Sequence, residues 1–257
     1  MTPVRPEVAA TTARYLELID EALPGQVTGL YLTGSVPLGD FRPGHSDIDG
    51  VVVVAAPLPD ASAARSVHEQ LPLAPAFDVT YLTAAELAAP PDPSKPVVFT
   101  LDGVFKEAPL GGPVSPVLWS ELARQALAVR TASDLVVHDD QEALEAFTRD
   151  NLKTYWTSQF DQLETNTAGV ADEEPVADWL LPWVILGVPR LHALLATGNI
   201  ISKTRAGEHA LIAFPEWCDL LNRCLDHRAG KPETFTIADA KAAVPYGRKV
   251  ITTALEL

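Results

Sequence analysis

The sequence predicts an α+β protein in two parts: an N-terminal α/β domain with a small mixed sheet over residues 1–135, then a C-terminal all-helical bundle domain over residues 136–257. Three observations predict this division. Short β-branched and aromatic runs lie in the first half, at 27–33, 48–55 and 77–82, and such runs bounded by turn residues read as strands. From Asp139 onward the apolar residues recur three to five positions apart, the spacing of one buried helix face. Between the two patterns, the character of the chain changes after Arg130.

Each element has its own signal. Residues 6–23 carry Val8, Ala9, Ala13, Leu16, Ile19 and Leu23 at helical spacing and end at Pro24-Gly25. A helix over 60–70, after Pro57, crosses between the strands at 48–55 and 77–82. Thr83-Ala84-Ala85-Glu86 has capping-box spacing and starts a short helix, which the Pro90-Pro91-Asp92-Pro93 loop ends. Residues 97–105 read as a further strand or hairpin. Ser115-Pro116 then supplies an N-cap and a proline at the first position of a helix carrying Trp119, Leu122 and Ala126.

In the second half, one long amphipathic helix is expected over 139–166, with Leu144, Phe147, Leu152, Tyr155, Trp156, Phe160 and Leu163 on its buried side. Another is expected over 175–197, kinked at Pro182 and Pro189 and closed by Gly198-Asn199. Shorter helices at 204–213, 215–227 and 237–256 complete the bundle.

Composition bounds the function. A 257-residue chain with 47% hydrophobic content can bury one large core or two modest ones. The net charge of −15, from 34 acidic residues against 19 Lys and Arg, repels nucleic-acid backbones and attracts polycations; it also suits plain solubility. Cys218 and Cys224, six positions apart, lack metal-ligand spacing and read as small core residues in a reducing compartment. With no run of about 18 apolar residues and no signal-peptide pattern, a cytoplasmic protein without membrane or nucleic-acid partners is expected.

The most informative stretch is 30–54, where an apolar strand runs into Gly34-Ser35, a turn-rich loop follows, and Ser46-Asp47-Ile48-Asp49 opens a strand ending in four valines. Strand residues alternate faces, so Asp47 and Asp49 share one side. Two such carboxylates suit Mg²⁺, a hard cation commonly bound through one or two protein carboxylates plus substrate phosphates. Gly34 permits a tight turn and close approach of a phosphate, and Ser35 offers a hydroxyl and an N–H. Alone, Asp-x-Asp beside Gly and Ser also suits an Asx-rich turn leading into a buried strand. Asp78, on the polar face of Phe77-Asp78-Val79-Thr80-Tyr81-Leu82, would complete an acidic triad if that strand lies alongside. Three like charges at close range are costly unless a cation compensates them.

Gly34-Ser35, Asp47-Ile48-Asp49 and Asp78 resemble the signature of the nucleotidyltransferase (DNA polymerase β-like) superfamily. More closely, Tyr31-Leu32-Thr33-Gly34-Ser35, Pro43, Ser46-Asp47-Ile48-Asp49 and Asp78-Val79-Thr80 resemble the streptomycin/spectinomycin (aminoglycoside 3''/9) adenylyltransferases. Leu127-Ala128-Val129-Arg130 falls where that family has a segment between its domains, and Arg190-Leu191 through Thr197-Gly198 to Lys203 is similar to its helix, turn and ATP-contacting lysine. The resemblance implies an Mg²⁺-dependent antibiotic-resistance enzyme that transfers AMP from ATP to a hydroxyl of an aminoglycoside or aminocyclitol. In it, Asp47 and Asp49 bind the metal; Gly34, Ser35, Ser46, Arg190 and Lys203 hold the nucleotide; and Asp78 acts as base or as third metal ligand. Asp178, behind Glu173 and Glu174, either holds acceptor ammonium groups or is surface charge, and Tyr246 stands in for the family's stacking tyrosine. The chain departs from that family in three places: Gly50 replaces an apolar residue, the Ser35–Ser46 loop is one residue longer, and Asp78 stands where Glu is general. Another acceptor, a metabolite or a protein, and a non-catalytic nucleotide-binding regulatory or antitoxin-like role are alternatives; a monomer or homodimer is expected.

Overall fold

The computed structural model describes residues 4–58, 60–108, 112–133 and 135–257. Its contacts divide the chain into two compact units, Met1–Asp140 and Gln141–Leu257. The first holds a six-stranded mixed sheet in the order β5-β4-β3-β2-β1-β6, made of β1 (Val27–Leu32), β2 (Ile48–Val54), β3 (Phe77–Thr83), β4 (Val97–Leu101), β5 (Val104–Ala108) and β6 (Leu127–Arg130). Only β2 and β3 pair in parallel, joined through α2 (Ser62–His68), and the other neighbours are antiparallel. Valine-rich β2 is buried on both faces because the sheet is covered on both. Ile48, Val52 and Val54 pack with Val8, Tyr15 and Ile19 of α1 (Pro6–Ala22) and with Ala64 and Val67 of α2. Val51 and Val53 pack with Trp119 and Leu122 of α4 (Pro116–Gln125).

The expected capping box is formed: Thr83 Oγ1 accepts the Glu86 N–H and Glu86 accepts the Thr83 N–H, opening α3 (Ala84–Leu87). Ser115 caps α4, with Pro116 at its first position. Leu127–Arg130, expected as a connector between domains, is instead the edge strand β6 on β1. It is too short to show strand alternation, and it is pinned by Arg130, whose guanidinium donates to both carboxylate oxygens of Asp20 at 2.6 and 2.7 Å.

Under the sheet, the Tyr81 hydroxyl hydrogen-bonds both Tyr15 Oη (2.9 Å) and His68 Nε2 (2.8 Å) in a buried cluster with Phe77 and Phe105. Burial lowers the His68 pKa from 6.5 to about 4. Between those two values the unfolded chain holds a proton that the fold excludes, so stability falls as pH drops through 6.5 toward 4 and the loss is complete below it. The shift corresponds to roughly 3 kcal/mol. Urea titrations across that window should show a slope that flattens in His68→Phe.

The second unit contains α5 (Gln141–Asn151), a π-helical turn over Leu152–Trp156, α6 (Thr157–Thr167), α7 (Leu180–Thr197), α8 (Lys203–Ala213), a 3₁₀ turn over Pro215–Trp217, α9 (Cys218–Arg228) and α10 (Ile237–Leu255). The expected long helix is thus continuous in span but widened at 152–156. The helix expected from 175 begins only at Leu180, because the Pro175–Val176 segment lies extended against Thr236 and Phe235. Pro182 then sits in the first turn, where its missing N–H costs no intrahelical bond. Gly198, at φ 74°, closes α7. Helix α7 is long and apolar enough to cross a membrane by composition, yet Leu181, Val184, Ile185 and Leu186 are buried in this unit's own core. Cys224 is a core residue as expected, whereas Cys218 is exposed, since six positions turn it to another face.

Helices α6 and α10 approach closely at Gly247, where any Cβ would collide with the Phe160 ring. Gly187 of α7 likewise leaves room for Trp156. Tyr246 is fully buried and donates its hydroxyl proton to the Ile185 carbonyl, between Phe214 and Trp217. The nucleotide-stacking assignment for Tyr246 is therefore corrected: the ring is a core element with its polar end satisfied.

Candidate active site

Strand β1 delivers the chain to Gly34 and β2 carries it away from Asp47. Gly34 takes φ 61°, and a Cβ there would meet Asp49 Oδ2 at 2.5 Å. Only glycine combines that backbone with a carboxylate lying across it. The loop beyond is tied to itself: Asp40 N–H donates to the Ser35 carbonyl, and Ser46 Oγ accepts the Arg42 N–H at 3.0 Å. The Ser46 hydroxyl thus braces the loop. The Ser35 Oγ is buried and meets no hydrogen-bond partner among the described residues, an arrangement that costs free energy unless a ligand supplies one. Gly50 also has a local cause, since a Cβ there would come within 2.7 Å of the Tyr31 carbonyl oxygen on β1.

Parallel pairing sets Asp49 directly against Asp78, on the sheet face shared with Val51, Val53 and Leu82. Asp78 is half-buried and accepts two backbone N–H groups, from Asp102 and Gly103, each at 2.9 Å. Those residues are the turn of the β4–β5 hairpin, at φ 53° and 71°. Positive φ at both central positions is the turn that Asp-Gly favours between two strands. Burial pushes the Asp78 carboxyl above its ordinary range; the two turn N–H groups and Lys106 pull against that, and the charge of Asp102 adds to it.

Asp47, Asp78 and Asp102 each offer a carboxylate oxygen, and these three atoms lie within 4.8 Å of one another. The structure therefore gathers Asp47 with Asp78 as the sequence suggested, while Asp49 leans over Gly34 outside that trio. Asp102 was missed by sequence reasoning. Its signal was the Asp-Gly pair inside the 97–105 run, which marks a hairpin turn, but the reach of that turn toward Asp78 depends on the order of the strands.

In the second unit, Arg190 extends from α7 and donates through Nε to the Ile201 carbonyl at 3.2 Å. Lys203 is the first residue of α8, two positions further on, behind the N-cap Ser202, whose hydroxyl accepts the Arg205 N–H. One corner thus carries both cations. Asp178 is exposed just before α7, separated from Arg190 by a helix stretch of roughly 15 Å at 1.5 Å per residue.

Residues 14–87, which hold the glycine-serine turn, the paired acids and the acid in register on the next strand, match the family described as nucleotidyltransferase domain. The chain thus carries a match to a nucleotidyltransferase domain within its first unit. Among solved structures it is similar to spectinomycin adenyltransferase AAD(9) from Enterococcus faecialis with ATP and spectinomycin, at 14% identity, TM-score 0.69, covering 95% of this chain and 99% of that chain. At that identity the likeness is one of fold, and it embraces both units. No curated protein matches the chain by sequence.

Proposed function

We propose that this chain transfers AMP from Mg·ATP to a hydroxyl group of a cationic small molecule of the aminoglycoside or aminocyclitol type, releasing pyrophosphate. The observation that carries the reading is the group of carboxylates at the start of β2 and β3 beside a glycine-serine turn whose buried hydroxyl meets no partner among the described residues. The donor set is all oxygen, as a hard divalent cation requires. Asp47 and Asp49 would hold the metal, which when bound neutralises charge on the phosphates and favours attack at phosphorus.

The protein's own groups divide the remaining work. Gly34 leaves its backbone open to a phosphate, Ser35 donates its hydroxyl, and Ser46 keeps the loop in shape. Arg190 and Lys203 are assigned to the nucleotide by resemblance alone, as cations able to stabilise developing negative charge. Asp78 accepts the proton of the attacking hydroxyl: its carboxylate keeps lone pairs beyond the two used by the turn, and its raised pKa suits a base better than that of a solvated aspartate. Asp178 contributes to acceptor binding. The net charge of −15 favours a polyammonium acceptor.

Incubation with Mg·ATP should release pyrophosphate faster in the presence of streptomycin or spectinomycin than in their absence, and mass spectrometry should find one added AMP unit on the acceptor. Turnover with neither drug but with another hydroxylated amine would move the acceptor class. Binding of Mg·ATP without turnover across a broad panel would remove the transferase reading.

A further inference from the structure

We infer that the cavity between the start of α1, the loop at 36–42 and the junction of α4 with β6 is a second ligand site, built for a small amphipathic anion: a carboxylate on a short apolar body. The cavity measures about 260 Å³ and is lined mainly by apolar residues, of which Val8 and Phe41 are buried. Arg5 and Arg42 also line it, and among the described residues no acid does. In a chain with 34 acidic residues against 19 Lys and Arg, two guanidinium groups facing a wall without carboxylates select for negative charge.

Arg42 is held in place: its Nε donates to Asp40 Oδ1 at 3.2 Å, and Asp40 is buried. That anchor leaves the two Nη groups of Arg42 uncommitted among the described residues, where Arg5 makes no ion pair at all. Asp40 offsets the Arg42 charge, and Arg5 supplies the net positive charge that an anion needs. Guanidinium groups bind carboxylates through charge-assisted hydrogen bonds, and an apolar hollow with a few placed polar groups is the usual form of a small-molecule site. The net charge of −15 repels free anions at long range, so contact of the apolar body with Val8, Phe41 and Leu127 must supply part of the binding. The site is separate from the acids. Val8, Phe41 and Leu127 pack with Ile48, Val52 and Val54 on the α1 side of the sheet, whereas Asp49 and Asp78 share the face of Val51 and Val53. One wall nevertheless continues directly from Ser35, so an occupant braces the loop that Ser46 ties.

The probe is hexanoate, titrated into the full chain by isothermal calorimetry, with hexylammonium as an apolar match of opposite charge. Hexanoate should saturate in the millimolar range, and hexylammonium should bind at least about tenfold more weakly. Saturation should slow amide hydrogen exchange over residues 36–42. Arg5→Gln removes a side chain without an ion pair, so it should weaken hexanoate about tenfold and leave the unfolding midpoint unchanged. Arg42→Gln should weaken it as much, while Lys249→Gln, the same loss of charge at an exposed position of α10, should not. If Arg42→Gln lowers the midpoint by stranding the buried Asp40, Arg5→Gln alone decides. Equal binding of the two probes, no saturation by hexanoate, slowed exchange confined to other segments, or a loss that Lys249→Gln reproduces would each overturn the site. So would hexanoate affinity that Arg5→Gln leaves intact. None of these readouts involves ATP or turnover, so the outcome is independent of the transferase proposal.

Discussion

Asp47→Asn should slow nucleotidyl transfer about a thousandfold, the equivalent of several kcal/mol of transition-state stabilisation. The residue is exposed and stands just before β2, and asparagine keeps its size, so no core packing is disturbed. Removing one of three crowded like charges should leave the unfolding midpoint unchanged or slightly higher without metal. The diagnostic pattern is therefore a collapse of the initial rate of pyrophosphate release beside an intact melting curve. Full turnover in the variant would mean that the acids at the β2 and β3 entrances are not the machinery.

The largest expected effect on stability lies within the second unit. Gly247→Ala places a methyl group in the Phe160 ring, which is fully buried where α6 and α10 cross. Alanine gains about 1 kcal/mol over glycine in a helix, but overpacking a filled core costs roughly 1–3 kcal/mol and occasionally more. Here the obstacle is a whole ring with core on every side, so the upper end applies and the net change is destabilising. Tryptophan fluorescence suits the measurement, because Trp156, Trp179, Trp183 and Trp217 all lie in the second unit. Gly169→Ala is the matched control: no atom stands within 4 Å of its added Cβ, and the strain of φ 72° is its main cost. A wild-type urea midpoint for Gly247→Ala would mean that the helices can part without loss.

Much of the fold could be read from residues that act locally. The Thr83–Glu86 box, the Ser115-Pro116 start and the Gly198 stop each depend on bonds within one turn of chain, and each stands where its sequence pattern put it. Strand alternation put Asp47 and Asp49 on one side and Asp78 on the polar face of its own run, and the parallel register of β2 and β3 then sets Asp49 against Asp78. What sequence could not deliver were contacts made by topology. Leu127–Arg130 has no strand pattern of its own and becomes one through β1. Tyr246 looks like a ligand-facing aromatic until the Ile185 carbonyl claims its hydroxyl. Asp102 looks like an ordinary turn residue, and only the antiparallel placement of β4 on β3 carries it to Asp78. Arg190 and Lys203 were chosen by resemblance, and their shared corner at Ile201–Ser202 is a local matter within the helical unit.

The position of β6 bears on how the polypeptide matures. Strand β1 emerges early from the ribosome and is flanked on one side by β2, but its other edge stays bare until Leu127–Arg130 has been synthesised. That late arrival caps an aggregation-prone border and is fastened at once by the Asp20–Arg130 pair. Every strand-pairing partner in the sheet has by then been translated, so the nucleotidyltransferase half can finish its hydrogen-bonded framework while the helical half is still being made.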